Sequence, residues 1–143
     1  MIAEETFSLD PDYRPHNDEP FMNPRQLAYF KSKLLEWKHQ LLHDSLETIH
    51  HLQEESHAEP DILDLAANET ERNLELRARD RARKLINKID EALHRVEDGS
   101  YGYCEETGEP IGLRRLEARP IATLCIEAQE RHERKEKSYR EEG

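Results

Sequence analysis

The chain has 143 residues, with 21 Lys+Arg against 32 Asp+Glu and a formal net charge of −11. Only 35% of its residues are apolar and 37% are charged, with a mean hydropathy of −1.02. A compact globule draws on about 45–50% apolar residues, so a large spherical core is excluded, and long helices sharing a narrow apolar seam suit the composition. The negative balance argues against unassisted binding to duplex DNA. No apolar run is long enough for a membrane-spanning helix, and two cysteines do not make a secreted disulfide framework. The N-terminus is acidic and has no apolar signal core. A cytoplasmic protein is expected.

Residues 1–23 carry Pro11, Pro15 and Pro20, few large aliphatics and mostly acidic charge. Such a stretch buries too little to offset the entropy of ordering it, so a mobile or loosely docked arm is expected, with Phe21 and Met22 available to pack. Asn23-Pro24 reads as a helix start, Asn as cap and Pro in the first turn. Leu27, Phe30, Leu34, Trp37 and Leu41 then recur at spacings of three and four, and nothing interrupts before Pro60. Pro60 must break the helix. A second run extends to about Val96, with Leu85, Ile89, Ala92 and Val96 on one face. The two make an antiparallel coiled-coil hairpin over 24–98 with its tip near 59–66. The seam thins toward the tip, where charged residues outnumber aliphatics.

Gly99 is a good terminator for the second helix. Residues 99–123 change character: Tyr101-Gly-Tyr-Cys104, Thr107-Gly108-Glu109-Pro110 and Ile111-Gly-Leu surround short apolar pieces with turn formers, which predicts a small β-turn module. A final helix occupies 124–143, almost wholly charged beyond Gln129. The fold class is therefore mainly α: a long hairpin, a small module and a C-terminal helix.

Four groups of residues carry chemistry. A zinc ribbon needs two C-x-x-C pairs to complete a tetrahedron; the corresponding stretches here are Cys104-Glu-Glu-Thr107 and Cys125-Ile-Glu-Ala128, each with one thiol. The module reads as a zinc ribbon lacking half its metal site. Two cysteines packed without metal are favoured over a weak site completed by His132. At the tip, Asp61 and Asp64 lie three apart on one side of a helical turn; they read either as caps favoured by the helix dipole or as paired carboxylates aimed at a partner's cleft. Arg77, Arg79, Arg81, Arg83, Lys84 and Lys88 form a basic run, either paired with Glu47, Glu54 and Glu55 of the first helix or open to an acidic partner. Arg114, Arg115 and Arg119 suit a phosphate-bearing ligand but are singly ordinary surface residues. The eight His, with His39/His43 at i,i+4 and the His50-His51 pair, show no matching third ligand.

In order along the chain, Phe21-Met-Asn23…Gln26-Leu-Ala28…Trp37, Leu74-Glu-Leu-Arg77-Ala-Arg79-Asp-Arg81 and Gly102-Tyr-Cys104…Ile111-Gly112…Arg114-Arg115-Leu-Glu-Ala-Arg119-Pro120…Leu124-Cys125 resemble the DksA/TraR family of bacterial RNA polymerase regulators. The resemblance runs from about Phe21 to about Lys137. It implies a hairpin that enters the polymerase secondary channel. It also implies a regulator that shifts initiation, repressing ribosomal RNA promoters and activating some biosynthetic ones, with the alarmone ppGpp. The family's Asp-x-x-Asp-x-Ala tip matches Asp61, Asp64 and Ala66, which tilts the reading of the two carboxylates toward function. Arg81 matches a position near the channel rim, and Arg77 is placed with it. The ppGpp-facing positions match Lys88 and Arg119, while Gln129 stands where the family has a Lys; Arg131 is the nearby substitute. The four-cysteine zinc site of the family is reduced to Cys104 and Cys125, with Thr107 and Ala128 in the other places, so the chain resembles a cysteine-poor, zinc-independent type. A monomer without metal, catalysis or sequence-specific DNA binding is expected. The alternatives are a factor that stimulates transcript cleavage through the same channel, and a thiol-based redox sensor.

Overall fold

A computed structural model gives the fold and describes residues 11–55 and 62–142, without the side chains of 48, 52–55, 62–66, 141 and 142. Four helices follow in order: α1 (Pro24–Glu55), α2 (Ile62–Asp98), α3 (Leu113–Ala118) and α4 (Ile126–Glu142). Among the described residues the β structure is a single antiparallel bridge, Tyr103 with Pro110. The chain divides into two compact units, Met1–Leu34 with Ala92–Gly143, and Leu35–Glu91.

In the first unit, α1 starts where the Asn-Pro signal placed it. The Asn23 side-chain oxygen accepts from the Gln26 N–H at 2.9 Å, satisfying one of the free donors of the first turn. Gln26 is fully buried. Its Oε1 accepts from the Met22 N–H at 2.8 Å, and its Nε2 donates to the His16 carbonyl at 3.2 Å and to Glu19 Oε2 at 3.3 Å. A buried amide with its groups paired is stabilising, and the same amide unpaired is costly.

Residues 11–23, part of the stretch expected to be a mobile or loosely docked arm, are packed through that amide. The Tyr13 hydroxyl donates to Glu19 Oε2 at 2.6 Å, its ring meets Tyr29 edge-on at 6.1 Å, and the Arg25 guanidinium lies 4.3 Å over it. Tyr13 and Met22 are buried. Polar contacts through Gln26 and Glu19 and two large side chains, not average hydropathy, fasten the segment. Residues 1–10, the rest of the expected arm, lie outside the described residues.

The core of this unit gathers Phe30, Leu34, Ala92, Tyr101, Leu116 and Ala128, all fully buried. The Phe30 and Tyr101 rings meet at 5.6 Å with their planes tilted by 44°, and the Tyr101 hydroxyl donates to the Pro120 carbonyl at 2.7 Å. α2 ends at a left-handed Gly99 (φ 85°), with the Ser100 and Tyr101 N–H groups returning to the Arg95 carbonyl at 3.0 and 3.1 Å. Residues 99–123 hold more helix than the turn formers suggested: Leu113 and Leu116, one turn apart and both buried, make α3 the module's apolar prop. Lys33 ties α1 to it, donating to the Glu117 carbonyl at 2.9 Å and to its Oε2 at 2.8 Å.

In the second unit α1 and α2 run antiparallel. Lys38 pairs with Asp90 at 2.7 Å, and further along α1 His51 pairs with Glu75 at 2.9 Å, earlier on α2. Ile89 is fully buried in the seam. Leu42, Leu46, Leu74 and Leu76 remain exposed, so the narrow seam expected from the composition is present. Glu75 Oε2 is buried with no hydrogen-bond partner.

Candidate functional site

The two half-empty C-x-x-C stretches meet in the first unit. After the Tyr103–Pro110 bridge the chain closes a tight turn, Cys104 N–H to Glu109 carbonyl at 2.8 Å and Gly108 N–H to Cys104 carbonyl at 2.9 Å. The Glu105 N–H reaches the Thr123 carbonyl at 2.9 Å, fastening this turn to the strand of chain that leads into α4. Cys104 and Cys125 are free and buried. The Thr107 hydroxyl lies 3.9 Å from Cys125 Sγ. Ala128 follows Cys125 by one helical turn and is fully buried.

Burial pushes the Cys104 thiol up. Hydrogen bonds from the Thr107 hydroxyl and from the backbone N–H groups of Cys125, Thr107 and Glu106 outweigh it and bring the pKa down from 9.0 to about 6. The knuckle is thus built to hold a thiolate. It does not hold zinc in the usual way: tetrahedral zinc takes four N, S or O donors, and here there are two sulfurs, one hydroxyl and a methyl group. His132, weighed as a further ligand, has its Nε2 bonded to Glu106 Oε1. Among the described residues no three His, Cys, Asp or Glu side chains are arranged to hold a metal.

The basic run resolves into a pattern on α2. Arg77, Arg81, Lys84 and Lys88 follow at i, i+4, i+7 and i+11, one face of the helix, and all four are exposed. None pairs with a described acidic residue; Glu47 pairs with His43 at 3.2 Å, and within the run Arg83 pairs with Asp80 at 3.5 Å. The side chains of Glu54 and Glu55 are outside the described residues. Four cations with no partner among the described residues, within a −11 chain, form a local field that attracts an acidic or phosphate-bearing surface.

The other expected site residues are more dispersed. Asp61 lies outside the described residues; Asp64 and Ala66 fall in the first turns of α2, and their side chains are not described. Arg119 is exposed just beyond α3. Gln129 is half-buried, its Nε2 donating to Glu133 Oε1 at 3.3 Å. Arg131, the substitute cation, lies 3.9 Å from Glu106. Arg115 is structural, its Nε donating to the Leu124 carbonyl at 3.0 Å, whereas Arg114 is exposed. Sequence reasoning assigned no structural role to Glu19, Gln26, Lys33 and Glu117, which fasten residues 11–23 and α3 to α1; no pattern marks an amide as buried.

Against this geometry, comparison with known proteins is informative. Residues 26–96 match the family model for the DnaK suppressor protein DksA, N-terminal domain. Residues 99–134 match the prokaryotic dksA/traR C4-type zinc finger, of whose four cysteines this chain keeps two. The chain is 67% identical over 131 residues to the RNA polymerase-binding transcription factor DksA of Caulobacter vibrioides (strain NA1000 / CB15N), covering 92% of each chain. It is 49% identical over 125 residues to the protein of that name from Escherichia coli K12, covering 87% of this chain and 83% of that one. The structure of transcription factor DksA2 from Pseudomonas aeruginosa superposes with a TM-score of 0.78 at 43% identity, over 84% of this chain and 95% of that chain. With both family models matched in sequence order and identity sustained along nearly the whole length, the chain belongs to the DksA family.

Proposed function

We propose that this chain binds RNA polymerase and regulates transcription initiation, acting through the secondary channel. The observation that carries the reading is the 67% identity across 92% of the chain to a factor named for polymerase binding. The antiparallel α1–α2 pairing supports it, since a slender helical hairpin suits a narrow channel. In this reading Asp64, seconded by Asp61, brings a carboxylate near the polymerase active centre, and Ala66 permits close approach. Arg77 and Arg81 meet the channel rim, and their unpaired charge favours an acidic counterpart. Lys88 and Arg119 face ppGpp. Gln129 lacks a cation and Arg131 is drawn to Glu106, so the alarmone's effect is weaker than a full three-cation site would give. The protein acts in the cytoplasm as a monomer, with no catalysis and no sequence-specific DNA contact. It folds without zinc, the module being held by α3, Ala128 and the Thr107 hydroxyl.

Run-off transcription from a ribosomal RNA promoter with cognate polymerase tests this. Wild-type protein is expected to inhibit, ppGpp to deepen inhibition modestly, and Asp64→Asn to abolish it while still binding polymerase. Binding without any change in initiation, combined with accelerated RNA cleavage in stalled complexes, would replace the reading with a cleavage factor.

A further inference from the structure

We propose that the second unit, Leu35–Glu91, is a seam poised to open: α1 and α2 part along their outer length while the first unit stays folded, and Glu75 sets how often they do. The device goes beyond the polymerase reading and does not depend on it.

Little apolar burial closes this seam. Among the described residues of the second unit, Ile89 is the one buried apolar side chain, whereas the first unit buries Phe30, Leu34, Ala92, Tyr101 and Leu116 completely. Ile89 stands near the end of its unit. From Ala67 to Lys88 on α2, and from Leu35 to Glu47 on α1, no side chain is buried. Leu41, Ile49 and Leu85 are half-buried, while Leu46 and Leu74 are 66% and 58% exposed. The Lys38–Asp90 pair lies at the same end as Ile89. Further out, the described tie between the helices is His51 with Glu75 Oε1 at 2.9 Å.

That outer tie carries a penalty. Asn68, Glu75, Ala82 and Ile89 recur at heptad spacing and are less exposed than their neighbours, the row of α2 that faces α1. Glu75 therefore occupies a place where an aliphatic side chain would complete the seam. Its Oε2 is buried and has no hydrogen-bond partner among the described residues. Closing the seam strips water from that oxygen and returns nothing, and opening rehydrates it. Once parted, helical segments of this length are marginal alone, so their amides lose protection together as one cooperative unit. Opening ends at Ile89 and the Lys38–Asp90 pair, because Leu34 and Ala92 are held in the core of the first unit.

Hydrogen–deuterium exchange of the full, reduced chain tests this, read by mass spectrometry of its peptides where rates scale with hydroxide and so report opening equilibria. Amides over 42–51 and 75–86, which lie opposite each other, are expected to share one level of protection, at least about 100-fold below that over 27–34 and 92–97. Glu75→Leu is expected to raise the outer protection about fivefold and leave the inner unchanged. Gln26→Leu acts on the first unit, and is expected to lower the inner protection while the outer stays as it was. Circular dichroism reports whether each variant folds; where Gln26→Leu does not, Glu75→Leu alone decides. Uniform protection along both helices overturns the proposal. So does unequal protection of the two outer segments, which marks fraying of one helix, or a Glu75→Leu change of equal size in both units.

Discussion

Gln26 shows how one side chain can organise a segment that composition assigns to solvent. Its amide faces Met22, His16 and Glu19 at once, so replacing it strands several groups together. Gln26→Leu is expected to destabilise the protein by about 2–3 kcal/mol, the cost of leaving buried polar groups unsatisfied; urea denaturation followed by circular dichroism measures it. Cys104 gives a pH prediction at the same scale. Its folded pKa, about 6, lies below the ordinary 9.0, so the thiolate contributes stability that is fully present above the unfolded value and is lost as pH falls through about 6. Wild-type protein, reduced and metal-free, is expected to gain stability between about pH 6 and 9 relative to Cys104→Ser, and denaturation midpoints across that range check it.

At the scale of helices, α1 was legible because apolar residues at three- and four-residue spacing followed an Asn-Pro start, two signals that agree. α3 was not. Its six residues hold too little periodicity to register, and it forms because Leu113 and Leu116 have a core to enter. The packing of residues 11–23 was hidden for a different reason: single polar contacts leave no repeating pattern to read. The two-thiol knuckle was legible in outline from its turn formers, whereas its hydrogen bonds to sulfur depend on Thr107 and Cys125 meeting across the module.

The distal seam yields two element-scale predictions. Glu75 keeps one oxygen buried and unpaired, and its partner His51 is exposed enough to be hydrated without it. Glu75→Leu is therefore expected to stabilise the hairpin by about 1 kcal/mol, because an apolar group of similar size removes a buried oxygen that has no hydrogen-bond partner, seen as a higher thermal midpoint. On the opposite concern, Arg81→Glu leaves the fold intact, since Arg81 is exposed and unpaired among the described residues. It is expected to weaken polymerase association roughly tenfold at low ionic strength and much less at high salt, measured by competition binding.

For the whole molecule, two of the four cysteine positions of the C4-type finger hold no cysteine here, and a fold that does not depend on zinc is the expected consequence. A four-cysteine module loses its folding energy with its zinc; this one retains a packed core of Tyr101, Ile111, Leu113, Leu116 and Ala128. Treatment with a strong zinc chelator is expected to shift the thermal midpoint by less than about 1 °C, well below the roughly 4–8 °C that 1 kcal/mol produces in a small domain. A large downward shift would show that zinc is held after all.

Gly102 has a wider consequence. It sits at φ 91°, with Met22 Cγ 2.9 Å and Phe21 3.3 Å from where a Cβ would stand, while its carbonyl accepts from Ile111 at 2.8 Å. Two stretches of chain distant in sequence, residues 21–22 and the turn at Gly102, therefore meet across one atom-sized clearance. Adding a single methyl group there would push them apart, so this position sets an alignment tolerance for the module, and drift in either stretch is constrained by the other.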